Sequence, residues 1–171
     1  ILEAEGLEAV QARRVALEAG CSVGTIYNVY GDIDGLIVAV NAETLARLGE
    51  AVRACAAATS GQSLEAQMLA LAFAYMRFAL ENRQRWDAVF THRFPAERAV
   101  PQSYLDDQAQ LLSVIETALT PTIREPERRA VAARALFGAV HGIVALALDN
   151  RLGGQVMREL EAQLTFIVEV A

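Results

Sequence analysis

Apolar residues recur along most of this chain at three- and four-residue intervals, the spacing that gathers them on one side of an α-helix. From Asp32, a good N-cap, the series Leu36, Val40, Leu45 and Leu48 predicts a long helix to about Cys55. The polar run Thr59-Ser60-Gly61-Gln62-Ser63 reads as a loop. Ser63 caps a helix to about Glu81 that carries Leu64, Met68, Leu71, Tyr75 and Phe78 on one side. A break over Asn82 to Trp86 precedes a short helix through Phe90. Pro95 to Pro101 is a loop, Gln102 to Leu119 a helix, and Pro121 to Pro126 a turn. Glu127 to Asn150 is a long, increasingly apolar helix, Arg151 to Gly154 closes it, and Gln155 to Val170 is a final amphipathic helix. Before Asp32 the pattern is of short helical pieces separated by Gly6, Gly20 and Gly31. Alternating β-branched runs are absent, so the fold class is all-α. The division expected is a small helix-turn-helix unit, residues 1–40, on a helical body, residues 41–171. Ile1 reads as mid-helix, which places the start of the first helix upstream of it.

Composition supports an ordered chain. Its 171 residues are 54% hydrophobic and 21% charged, enough to bury a core and too apolar for disorder. All 15 basic residues are arginines, set against 21 acids for a net charge of −6. That balance argues against general polyanion binding, which rests on Lys and Arg at phosphates. Two cysteines, Cys21 and Cys55, make no disulfide framework, so the cytoplasm is the default compartment. The most apolar stretch, Ala135 to Leu148, is 14 residues interrupted by Gly138, His141 and Gly142. It falls short of the roughly 20 that cross a bilayer, and no membrane partner is expected.

The informative stretch is Gln11 to Tyr30. A helix with Val15 and Ala16 inward ends at Gly20, suited to a left-handed C′ position. Cys21 fills a small apolar site in the turn and Ser22 caps the next helix. Two short helices joined by a Gly-containing turn match a helix-turn-helix, whose second helix enters the major groove. Its exposed side would carry Val23, Gly24, Thr25, Tyr27 and Asn28, with Tyr30 further on. Gly24 and Thr25 let backbone N–H groups and a hydroxyl approach phosphate, and Tyr27 can donate to the same backbone. Arg13, on the preceding helix, reaches a phosphate or a guanine edge. The same spacing also fits a tight αα-turn with a solvated polar side.

Residues 1 to 40 resemble the N-terminal domain of TetR-type (tetracycline-repressor-like) transcriptional regulators. The matching elements are Ile1-Leu2 and Gly6, then Val15-Ala16-x-x-Ala19-Gly20-x-Ser22, Gly24-Thr25-Ile26-Tyr27 and Asp32-x-Asp34-x-Leu36. Asn82-Arg83 before an aromatic helix, with Phe137-x-x-x-His141-Gly142, further resembles a C-terminal subclass carrying Trp-x-x-x-His-Gly, Phe137 standing where that pattern has Trp. The resemblance implies a homodimer on a palindromic operator, usually a repressor, with an effector pocket in the body and the last two helices forming a four-helix dimer bundle. Val29-Tyr30 stand where the family commonly has His-Phe, and Ile33 where it has Lys or Arg. Residues 1 to 45 hold two arginines against seven acids, a net of −5. DNA affinity is therefore expected to be weak, or to depend on basic residues upstream of Ile1.

Elsewhere the chemistry is sparse. His141 lies in the most apolar helix, as a hydrogen-bonded core histidine or a ligand contact, and Gly142 beside it suits close helix packing. His92 reads as a loop or pocket-rim residue. Phe73, Met76, Arg77, Trp86, Phe90, Tyr104 and His141 are the candidates for a pocket taking a small hydrophobic or aromatic effector, although helical aromatics are more often core than pocket. Phe94 and Tyr75 belong to the same aromatic set. Val140, Val144 and Leu148, with Val156, Leu160, Leu164 and Ile167, form stripes expected to meet a second copy, burial within the monomer being the alternative. The two histidines are 49 positions apart, and no His-Glu-x-x-His, P-loop or nucleophile-elbow motif occurs. No catalytic residue, metal or cofactor is assigned. The alternative to a regulator is a helical interaction module with weak or lost DNA binding.

Overall fold

A computed structural model describes residues 1–93, 100–149, 151 and 157–169. Phe94, Val156 and most of the two segments read as loops from Pro95 and Arg151 lie outside these residues. Among the described residues every regular element is helical: α1 (Leu2–Glu5), a 3-10 turn (Leu7–Ala9), α2 (Ala12–Glu18), α3 (Val23–Tyr30), α4 (Ile33–Ala58), α5 (Leu64–Glu81), α6 (Arg83–Thr91), α7 (Gln102–Leu119), α8 (Pro126–Leu148) and α9 (Met157–Glu169). The all-α fold of many helices holds. Asp32 Oδ1 accepts from Gly35 N–H at 2.7 Å, and Ser63 Oγ from Ala66 N–H at 3.2 Å, so both predicted caps form. The break after α5 is narrower than the sequence suggests. It is confined to Asn82, because α6 starts at Arg83 and its first turn closes on the Asn82 carbonyl. Pro126 occupies the first turn of α8, where its missing N–H is no loss.

The chain forms two compact units, Ile1–Arg47 with Asn82–Asp107, and Leu48–Glu81 with Gln108–Ala171. In the first, Ala12, Ala16, Ile26 and Leu36 form a small core, with Val15, Cys21 and Val23 packed on it. A second cluster joins Leu45, Val89 and Tyr104. Buried Asn41 donates to the Ala88 carbonyl at 3.1 Å, fixing α4 to α6. Ion pairs then join distant segments: Arg85 binds Glu3 at 2.5 Å and Arg14 binds Glu5.

In the second unit α5, α8 and α9 pack on one another. Ala133, Val140 and Val144 of α8 are buried, as are Leu160 and Leu164 of α9. Unlike the 14-residue stretch from Ala135, the whole of α8 is by length and composition apolar enough to cross a membrane, because its uncharged Ala and Val residues extend toward the N-terminus. Of its most apolar window, 17% is buried within the chain. A bundle helix whose outer side another helix covers passes the same test. Leu164 is completely buried, so Leu164→Ala should lower unfolding stability by about 3 kcal/mol in urea titration, typical of a leucine cavity.

Candidate functional site

The turn between α2 and α3 is held by the backbone. Gly20, at φ 65°, adopts the left-handed conformation that side chains disfavour. Gly20 N–H donates to the Leu17 carbonyl and Cys21 N–H to that of Ala16, closing a Schellman motif on α2. Ser22 then caps α3, its Oγ accepting from Thr25 N–H at 3.1 Å and lying 2.9 Å from the Thr25 hydroxyl. Two hydrogen-bonded caps in three residues fix the angle at which α3 leaves the turn.

On α3, buried Ile26 anchors the helix, while Gly24, Thr25, Tyr27, Asn28 and Tyr30 are exposed, together with Ser22 and Arg13. Val23 differs from its expected place. It packs against the α2–α3 core, because the first helical turn folds back onto Ala12 and Ala16. A Cβ at Gly24 would meet only Ser22 Oγ, at an ordinary 3.5 Å, so packing does not demand glycine there. Arg14 is committed to Glu5 and Glu18, whereas Arg13 makes no ion pair among the described residues. Leu17 and Val29 are left largely exposed on the same motif, a feature the sequence pattern does not single out. His92 Nε2 lies 2.9 Å from Asp34 Oδ1, tying the end of α6 to the start of α4. It is a linking residue where the sequence suggests a loop or rim.

The seven pocket candidates divide between the units. Trp86, Phe90 and Tyr104 belong to the first: Trp86 and Phe90 rings sit 5.1 Å apart, and Tyr104 donates to the Val89 carbonyl at 3.2 Å. They build that unit's own interior. Phe73 and Arg77 line a surface groove beside Cys55, whose thiol burial pushes above its ordinary range, and Met76 is buried in α5. His141 joins a polar pair beside a cavity. Its Nδ1 lies 2.7 Å from the Tyr75 hydroxyl, and Phe137 packs against both rings. Tyr75 and Phe137 line a small apolar cavity of about 40 Å³ with Val52, Leu71, Leu111 and Val140. That is room for about one water, well below the space a drug-sized ligand fills. A wider groove of about 650 Å³ opens between the start of α5, the middle of α8 and the ends of α7 and α9. The sequence does not reveal it because its walls come from four separate helices, whose meeting no single stretch specifies.

The expected dimer stripes are also turned around. Val140, Val144, Leu160 and Leu164 are buried in their own chain, and Leu148 and Ile167 are half-buried. The outer side of α8 instead carries Val131, Ala135, Gly138, Gly142 and Leu146, and α9 exposes Phe166. A Cβ on Gly138 or Gly142 would meet nothing within 4 Å among the described residues. Close packing inside the chain therefore does not explain Gly142.

The family model for the tetracyclin repressor-like C-terminal domain matches residues 68–171. No curated protein matches the chain. Among solved structures, SCO4313, described as a regulatory protein, is 22% identical with a TM-score of 0.76, covering 97% of this chain and 88% of its own. A protein of unknown function from Rhodococcus sp. RHA1 is 22% identical with a TM-score of 0.77, covering 99% and 86%. The TetR family transcriptional regulator PfmR from Thermus thermophilus is 15% identical with a TM-score of 0.63, covering 95% and 87%. At these identities the likeness is one of fold.

Burial holds His141 below its ordinary value of 6.5. The unfolded chain then takes up a proton at His141 that the folded chain resists, so stability falls as pH drops below about 6.5. Urea unfolding at about pH 7.5 and about pH 5.5 should show a larger loss for the native chain than for His141→Gln. Equal losses would mean that His141 protonates freely in the fold.

Proposed function

The chain belongs to the tetracyclin repressor-like family of regulators, and from that premise we propose that it is a cytoplasmic, ligand-responsive transcriptional repressor that binds a palindromic operator as a dimer. A small hydrophobic or aromatic effector held in the second unit releases it. The observation that carries the reading is the α2–α3 motif, with its Schellman turn, capped second helix, and exposed Thr25, Tyr27 and Asn28 on that helix. Gly24 supports it: in the first turn of α3, where backbone N–H groups have no partner within the helix, a residue without a side chain lets a phosphate approach the backbone closely.

Dimerisation follows from α8. From Ala135 to Leu148 the helix carries no charged residue on any side, and a second copy is the partner that covers its outer side. Val131, Leu146 and Phe166 supply the apolar area, while Gly138 and Gly142 permit the backbones to approach. Effector binding would alter the separation of the two α3 helices, which must match half-sites about 34–36 Å apart. Of the two arginines on α2 and α3 only Arg13 makes no ion pair among the described residues, and this, with Leu17 and Val29 exposed, favours a second reading as an interaction module that has weakened its hold on DNA.

Fluorescence anisotropy with a duplex from upstream of its own gene should show affinity falling steeply with salt. Arg13→Ala should weaken binding about tenfold and reduce the salt slope by about 1, and Tyr27→Phe should weaken it less. If both substitutions leave affinity unchanged, α3 is not the reading helix. In sedimentation at micromolar protein, Phe166→Glu and Gly142→Leu should each shift dimer to monomer without lowering the melting temperature of the isolated chain. A dimer that survives both changes is built on another surface.

A further inference from the structure

The small cavity and the wide groove of the second unit are neighbours. Met68, Leu136 and Val168 line both, one each from α5, α8 and α9. Met68, an unbranched and adaptable thioether chain, stands in the wall they share, and the two spaces are taken together as one slot. The inner part is lined by aliphatic and ring carbon, and the Tyr75 hydroxyl there is engaged with His141. The groove's polar lining is Glu65, Thr122 and Glu169. Neither carboxylate has an ion pair among the described residues, and no arginine or histidine lines the groove. Arg129, near in the fold, donates to the Ile123 and Arg124 carbonyls at 3.0 and 3.2 Å. Glu169 also lies in the last turn of α9, where free carbonyls already make the potential negative.

Building on the ligand-responsive reading above, we infer that the slot takes an amphiphilic cation, its apolar tail between Met68, Leu136 and Val168 and its ammonium head beside Glu65 and Glu169. A fatty carboxylate would set a third negative charge at the mouth, and a neutral alcohol would leave both carboxylates without a partner.

Calorimetric titration of the full chain with decyltrimethylammonium, decanol and decanoate, all below micelle formation, separates these cases. The cation should saturate at one per chain and bind about tenfold tighter than the other two. That advantage should vanish in Glu65→Gln/Glu169→Gln, while decanol binding stays the same. Leu136→Trp should weaken all three, with Met68→Trp as a second filling variant if the first loses its cooperative melt. Decanoate binding as tightly as the cation, or a cation affinity unmoved by the double substitution, overturns the inference. If decanol and decanoate bind and the filling variants block them, the effector reading stands and the head-group assignment falls. Absence of saturable binding by all three in a chain that holds its operator overturns both. A dimer that binds none until diluted to monomers makes the groove a contact between copies and overturns the inference as well.

Discussion

Helix α8 has apolar residues on more sides than one chain covers, and much of the second unit follows from that constraint. A helix uncharged around most of its circumference stays in water only if other helices bury it. Its inner side meets this requirement with Ala133, Val140 and Val144, packed among α5 and α9. The Tyr75–His141 pair and Phe137 lie beside that contact, so the polar feature of the apolar cavity depends on it. The outer side, with Val131, Leu146 and two glycines open to space, is left uncovered by the described residues. One helix therefore supports both the ligand reading and the dimer reading.

The first unit meets a different constraint, that of presenting a short helix at a fixed angle with little core beneath it. Four buried residues from α2, α3 and α4 hold it, and hydrogen-bonded caps at Ser22 and Asp32 supply the direction. Charge is distributed to match. Glu3 and Glu5 are held below the usual carboxylate range by hydrogen bonds from Arg85 and Arg14. Part of the local acidic excess is thereby neutralised in place, which the linear count of −5 over residues 1 to 45 does not show. What remains exposed toward a partner is Arg13, with the hydroxyls and amide of Thr25, Tyr27 and Asn28.

Features that depend on near neighbours in sequence were legible. Helix positions, the Gly20 turn, and the Ser22, Asp32 and Ser63 caps each rest on contacts within about five residues, and they form as the spacing predicts. The start of α6 is not legible in the same way, because Arg83 to Trp86 carries no periodic apolar signal and its tertiary contacts override that weak propensity.

Periodicity says that a helix has an apolar side, but not which of several such sides meets its own chain. The sequence by itself determined the all-helical class, the punctuation of the helices, and the capped turn between α2 and α3, because local hydrogen bonding fixes all three. Only the tertiary structure decided that Val140, Val144, Leu160 and Leu164 face inward, leaving Gly138, Gly142, Leu146 and Phe166 outside. It alone drew Trp86, Phe90 and Tyr104 into the first unit's interior and brought Tyr75 to His141, 66 positions away. Those outcomes depend on which helices share an interior, and that is set by the summed packing of the whole chain rather than by any one stretch of it.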